Sequence, residues 1–205
     1  WVASAVVAWV ATTYISWAAY GDAFVDEALG YHLTRTDHRH NYSIWWYSLY
    51  LNFESPLRRL LGQLALAPQA MFLVVTALCL GHNLPLCMAV QTMVFVHTNK
   101  VLTGQYFLWY LVLLPVVTIP KHQLTRHRRL LRHTLGVWVT CLVLWLTCAY
   151  LLEFQGSAVW TVLWGASLLF HAASLYLAWV GVVLGCGCGG AGGRRGAGAG
   201  APGTK

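Results

Sequence analysis

The chain has 205 residues, of which 58% are hydrophobic and only 9% are charged. Soluble domains carry about 25% charged residues, so this composition cannot cover a water-facing surface and takes the bilayer as its main solvent. The formal net charge of +7 lies largely in helix-flanking segments, where membrane topology accounts for it, and a nucleic-acid partner is excluded.

The uncharged runs set the expected elements. The first, Trp1 to Tyr20, opens without a methionine, so the sequence reads as the later part of a longer protein. Leu60 to Leu80 and Leu84 to Val96 follow, with no Asp, Glu, Lys or Arg between Leu60 and Asn99. Gly81, His82, Asn83 and Pro85 mark the break between them. Val101 to Pro120, Thr134 to Leu152 and Ser157 to Leu184 complete the set. About 20 apolar residues cross a hydrocarbon core of about 30 Å, and only Leu84 to Val96 falls clearly short. The expected fold is an all-α polytopic membrane protein of about six spans.

Sidedness follows from basic residues. Lys121, Arg126, Arg128, Arg129 and Arg132 stand without an acidic neighbour, so residues 121–133 read as a cytoplasmic loop. Counting spans puts the turn at 153–157, the turn at 97–100 and the loop 21–59 on the opposite face. That loop's own charges nearly cancel: Asp22, Asp26, Glu27, Asp37 and Glu54 against Arg35, Arg39, Arg58 and Arg59. Residues 1–184 form the transmembrane part, and the glycine-alanine tract 185–205 is expected to be disordered, having too little apolar surface to offset its backbone entropy. Cys79, Cys87, Cys141 and Cys148 read as small apolar residues of the spans, and Cys186 and Cys188 receive no role.

Two polar islands interrupt this pattern. The first, YHLTRTDHRHNY at 31–42, holds two arginines, one aspartate and three histidines. Such a mixture supplies donors for sugar hydroxyls and cations for a phosphate, or simply a solvated loop in which Arg35 and Asp37 pair. The second, HTNKVLTGQYFLWY at 97–110, places Asn99, Lys100, Thr103, Gln105 and Tyr106 at the mouth of a span. Its Tyr106, Trp109 and Tyr110 also suit an interfacial aromatic belt. His171, alone in an apolar run, reads as a packed polar residue. The histidines lack a ligand spacing such as HExxH, so no metal is expected.

The two islands and their order resemble the catalytic subunits of GPI mannosyltransferase I. The first matches through Tyr31, His32, Arg35, Asp37, Arg39, His40, Asn41, Ser43, Tyr47 and Tyr50. The second matches through Asn99, Lys100, Thr103, Gln105, Tyr106, Phe107, Leu108, Trp109, Tyr110 and Pro115, with Gly104 where serine is usual. The EFQG turn at Glu153 to Gly156 looks like the family's penultimate loop.

The resemblance implies a transmembrane bundle of the GT-C type in the endoplasmic-reticulum membrane. It implies transfer of mannose from dolichyl-phosphate mannose to glucosaminyl-acylphosphatidylinositol in α-1,4 linkage, the first mannose of GPI-anchor biosynthesis, with no cofactor beyond the donor lipid. A β-linked donor and an α-linked product mean inversion, with a carboxylate taking the acceptor's proton. In the family that carboxylate belongs to an upstream DxD motif, which is absent from these 205 residues. The segment is therefore expected to be the substrate-positioning half, inactive alone and without a catalytic residue of its own.

Arg35, Arg39 and Lys100 are then the candidates to hold a phosphate. His32, His40, Asn41, Asn99, Gln105 and Tyr106 are the polar candidates for the remaining substrate contacts, and Asp37 orients its flanking arginines. A small single-span subunit that stabilises the enzyme from the lumenal side is the expected partner. Another dolichyl-phosphate-dependent transferase would share the architecture without the RHN and NKxxTxQYFLWY pair. A transporter or scramblase should place ionisable residues within its spans, and these carry almost none.

Overall fold

The computed structural model describes residues 2–31, 41–117 and 119–186. Among them all regular structure is helical, as the composition requires. The first apolar run forms α1 (Val2–Tyr20). Gly21, with φ +67°, turns the chain into a short helical turn, Asp22–Phe24, and a π-helix, Val25–Gly30. The second part of the long loop contributes α2 (Trp46–Leu51).

The run expected from Leu60 begins three residues earlier and is interrupted. It gives α3 (Leu57–Leu64) and α4 (Leu66–Leu80), with Pro68 at the junction, where a missing N–H breaks the i to i−4 ladder. The expected break at 81–83 is present. Helix α5 (Leu84–Thr98) then restarts with the Asn83 side chain accepting from the Leu86 N–H at 3.4 Å and Pro85 in its first turn, a favoured N-terminus.

Two expectations need correction. Val101 to Pro120 is not one helix: residues 101–103 are irregular, Gly104–Tyr106 is a 3₁₀ turn, α6 covers only Phe107–Leu111, and Leu114–Val116 is again 3₁₀. Pro115 supplies the reason, since it cannot donate to the ladder, and the Leu113 and Val116 N–H groups already bond three residues back. The basic segment is not a loop either. Lys121–Arg126 forms α7, and Arg128 to His133 are the first turns of α8 (Arg128–Glu153). The last helix, α9, runs Trp160–Cys186. Gly156, at φ +63°, reverses the chain between them, a conformation open to glycine at low cost.

By length and composition three described helices can cross a membrane: Leu57–Leu80, Arg128–Glu153 and Trp160–Cys186. Leu84–Thr98 and the helical turns from Gly104 to Val116 are shorter apolar stretches. Helix α9 is the central element, packing against α8 and α5, while α4 packs against α5. Phe170 of α9 is fully buried and sits among the rings of His97, Phe107, Trp138 and Trp145 at 5.0 to 5.8 Å. At the other end α5 and α9 approach closely: a Cβ on Gly185 would lie 2.5 Å from Leu86 Cδ2, the close contact that small residues permit between membrane helices.

Candidate functional site

The two polar islands meet. Asn41 is almost fully buried, and its side-chain amide lies against residues 100–102 of the second island. Its Nδ2 donates to the Lys100 carbonyl at 2.7 Å, and its Oδ1 accepts from the Leu102 N–H at 2.7 Å. The side chain thus takes the place of a peptide group in a one-residue ladder. Ser43 Oγ donates to the same Lys100 carbonyl at 2.8 Å, and the Ser43 N–H donates to Asn41 Oδ1 at 3.3 Å, closing an Asx-type turn. Trp45 Nε1 adds a donor to the Thr98 carbonyl at 3.1 Å. A segment that bonds so little with itself needs this, because its carbonyls would otherwise be buried without partners.

The long helices hold the first island from the other side. Trp145 of α8 donates through Nε1 to the Tyr42 carbonyl at 3.1 Å, and Trp164 of α9 donates to the Ile44 carbonyl at 3.1 Å. The Tyr42 hydroxyl bonds the Glu153 carboxylate at the end of α8. Burial, reinforced by Glu153, holds this phenol above its ordinary range, so it stays a neutral donor. Trp46, fully buried, is wedged between Tyr42, Tyr47 and Trp160 with ring centroids at 5.2, 5.5 and 5.9 Å. Tyr50 stacks on Trp160 at 5.0 Å, and Tyr47 lies 5.7 Å from Trp164.

Asn41 and Tyr42 at the end of the first island, the start of the second island and the 153–157 turn therefore share one end of the bundle. The basic residues from Lys121 to Arg132 occupy the other, since α8 spans its 26 residues at about 1.5 Å each.

Of the sequence-identified residues, His32, Arg35, Asp37, Arg39 and His40 lie outside the described residues. Lys100 is 4% exposed, and burial of an ammonium is costly unless acceptors or an anion answer it. Asn99 is half-buried at the C-terminus of α5, its N–H on the Phe95 carbonyl. Gln105 is exposed and Tyr106 half-buried, its ring 4.6 Å from Trp109. The structure brings Asn41, Ser43 and Lys100 together and spends the Asn41 amide on backbone rather than on open surface. Beneath them His171 Nδ1 pairs with the His97 carbonyl at 2.9 Å. The buried His97 Nδ1 has no partner among the described residues. No three described His, Cys, Asp or Glu side chains come together as metal ligands.

Sequence reasoning missed Tyr42, Trp45, Trp46, Trp145 and Trp164. The available signal was the count of 11 tryptophans in 205 residues, because a buried indole favours a partner for its one N–H, as Trp45, Trp145 and Trp164 find on backbone carbonyls, whereas Trp46 Nε1 has none among the described residues.

An all-helical bundle with long apolar helices and a polar junction at one end defines an integral membrane protein. The mannosyltransferase (PIG-M) family model matches residues 1–180, and the chain belongs to that family. It is similar to the GPI alpha-1,4-mannosyltransferase I catalytic subunit of Danio rerio, 44% identical over 163 residues, covering 80% of this chain and 41% of the relative. GPI mannosyltransferase 1 of Saccharomyces cerevisiae is 42% identical over 171 residues, covering 77% of this chain and 40% of the relative. The Dictyostelium discoideum protein of the same name is 35% identical over 182 residues, covering 82% and 40%. The chain spans about 40% of the length of these curated relatives. No solved structure matches it.

Proposed function

We propose that the parent protein is the catalytic subunit of a GPI mannosyltransferase of the endoplasmic-reticulum membrane. It transfers the first mannose from dolichyl-phosphate mannose, in α-1,4 linkage, to glucosaminyl-acylphosphatidylinositol. The observation that carries this reading is the junction itself: the two islands that resemble the family's motifs lie 57 to 61 residues apart and are bonded to one another at one end of the bundle. Family membership and the names of the relatives support it.

In this reading the junction faces the lumen. Arg35, Arg39 and Lys100 hold the lipid phosphate, and a fixed cation there stabilises it as it leaves. His32 and His40 contact sugar hydroxyls, with Asn99, Gln105 and Tyr106 beside them. Asn41 acts one step back, as a positioning residue that fixes Lys100 against the first island, and Asp37 orients its neighbouring arginines. The reaction needs no metal, because the donor leaves as a lipid monophosphate. A small single-span subunit binds from the lumenal side.

Complementation tests the reading. Full-length parent, intact or with Arg39→Ala or Lys100→Ala, is expressed in cells lacking the first GPI mannosyltransferase. Surface GPI-anchored protein is scored by flow cytometry and abundance by blot. Rescue by the intact parent and loss in both variants at normal abundance is the expected result. Failure of a well-expressed intact parent would overturn the mannosyltransferase reading.

A further inference from the structure

The bundle also holds an apolar cavity of about 240 Å³, reaching from Tyr110 at the end of the second island to Leu131 near the start of α8. Its walls include Leu86 of α5, Ile119, Leu131, Leu135 and Trp138 of α8, and Gly181 of α9. The Trp138 N–H is turned to Ser174 Oγ at 3.0 Å and the Tyr110 hydroxyl to His97 Nε2 at 3.5 Å, so the lining offers a ligand mainly hydrocarbon contact. At about 30 Å³ for a water-sized group, the space takes roughly eight methylenes. A single flexible hydrocarbon chain fits such a space.

The rim of the cavity is basic. On α8, Leu131 and Leu135 stand at i+3 and i+7 from Arg128, with Arg132 at i+4, so both arginines share the face that lines the cavity. Lys121 follows Ile119 by two residues on another wall. All three cations are exposed, and residues 121–133 contain no acidic side chain. From Arg128 to Trp138 the helix rises about 15 Å, half of a hydrocarbon core of about 30 Å. An apolar slot one leaflet deep with three cations at its mouth matches an acyl chain joined to an anionic headgroup. A lipid held by its phosphate at the polar junction would carry that phosphate near the opposite end of α8, away from this rim.

We propose that this cavity binds an anionic glycerophospholipid of the surrounding membrane, with one acyl chain between α5, α8 and α9 and the phosphate on Arg128, Arg132 and Lys121. The proposal rests on the membrane class of the protein and is independent of sugar transfer. Gly181 offers a clean perturbation, since a Cβ added there meets nothing within 4 Å and a larger side chain would enter the slot.

The test is photolabelling of the purified full-length parent with phosphatidylserine or phosphatidylcholine carrying a mid-chain diazirine, read by peptide mass spectrometry. Adducts are expected on peptides covering 131–138 and 177–184. Phosphatidylserine should be favoured by at least about fivefold, since a single basic residue near the surface contributes roughly that much to anionic-lipid binding. Gly181→Leu should remove the adducts. Arg128→Gln and Arg132→Gln combined with Lys121→Gln should keep them and equalise the headgroups, which holds the proposal open to refutation even where the leucine variant does not fold. Absence of adducts from these peptides in the intact parent would overturn the proposal, and would mean that another part of the full chain fills the slot. Equal labelling by both lipids, or labelling unchanged in a folded Gly181→Leu protein, would overturn it too.

Discussion

The side chain of Asn41 holds the backbone on both sides of Val101, donating to the Lys100 carbonyl at 2.7 Å while accepting from the N–H of Leu102 at 2.7 Å. In Asn41→Ala the Lys100 carbonyl keeps Ser43 Oγ, but the buried Leu102 N–H loses its acceptor. An orphaned buried donor costs about 1–3 kcal/mol. Thermal unfolding of the full-length parent, followed by fluorescence-detected size exclusion, should move down accordingly, whereas Gln105→Ala, at an exposed position, should leave it within about 0.5 kcal/mol.

Tyr42 and Glu153 tie the first island to the end of α8. Burial and the carboxylate raise the phenol above its ordinary value. The sign follows: the stabilisation is fully present below the unfolded tyrosine pKa of about 10 and is lost as pH climbs beyond it. Tyr42→Phe should therefore blunt the alkaline loss of stability. Combined with Glu153→Gln it should be less damaging than the sum of the two, with a coupling of about 0.5–3 kcal/mol in a double-mutant cycle.

The indoles of Trp145 and Trp164 act as clamps on the Tyr42 and Ile44 carbonyls. Replacement by phenylalanine keeps most of the apolar volume and removes one N–H. A net hydrogen bond is worth about 1 kcal/mol, so amide exchange across 42–46 should speed by roughly fivefold in Trp164→Phe. Hydrogen-exchange mass spectrometry would detect this. Unchanged exchange would show that ring packing alone holds the loop.

Gly104 is the one departure from the second family motif. Its position is exposed, its φ is not positive, and an added Cβ meets nothing within 4 Å. Gly104→Ser should fold with stability unchanged within about 0.5 kcal/mol, measured by the same unfolding assay. A larger loss would mean that the 3₁₀ turn depends on glycine.

How far this was legible in the sequence differs by element. The long apolar runs at Thr134 and Ser157 became α8 and α9 because nothing in them interrupts an α ladder. The break at Gly81 to Asn83 was legible for the converse reason. Val101 to Pro120 misled because hydropathy counts Pro115 as a neutral residue, while its missing N–H divides the run into short turns. Both polar islands were visible as breaks in an apolar chain, yet their pairing was not. A side-chain amide standing in for a peptide group has no periodicity and no fixed spacing, and Asn41 reads equally as a sugar ligand and as a backbone clamp. Trp145 and Trp164 were hidden in the same way, since hydropathy registers their rings and ignores the single donor that each carries.

The central claim is that the junction around Lys100 positions a lipid-linked mannose donor in the full-length protein. Its most direct measurement is transfer of radiolabelled mannose from dolichyl-phosphate mannose to glucosaminyl-acylphosphatidylinositol. The assay uses microsomes of deficient cells expressing the intact parent or Lys100→Met at matched abundance. The account predicts transfer by the intact parent and a fall of about a hundredfold or more in the variant, the loss typical of removing one fixed charge-stabilising group. Full transfer by a folded Lys100→Met protein would contradict it.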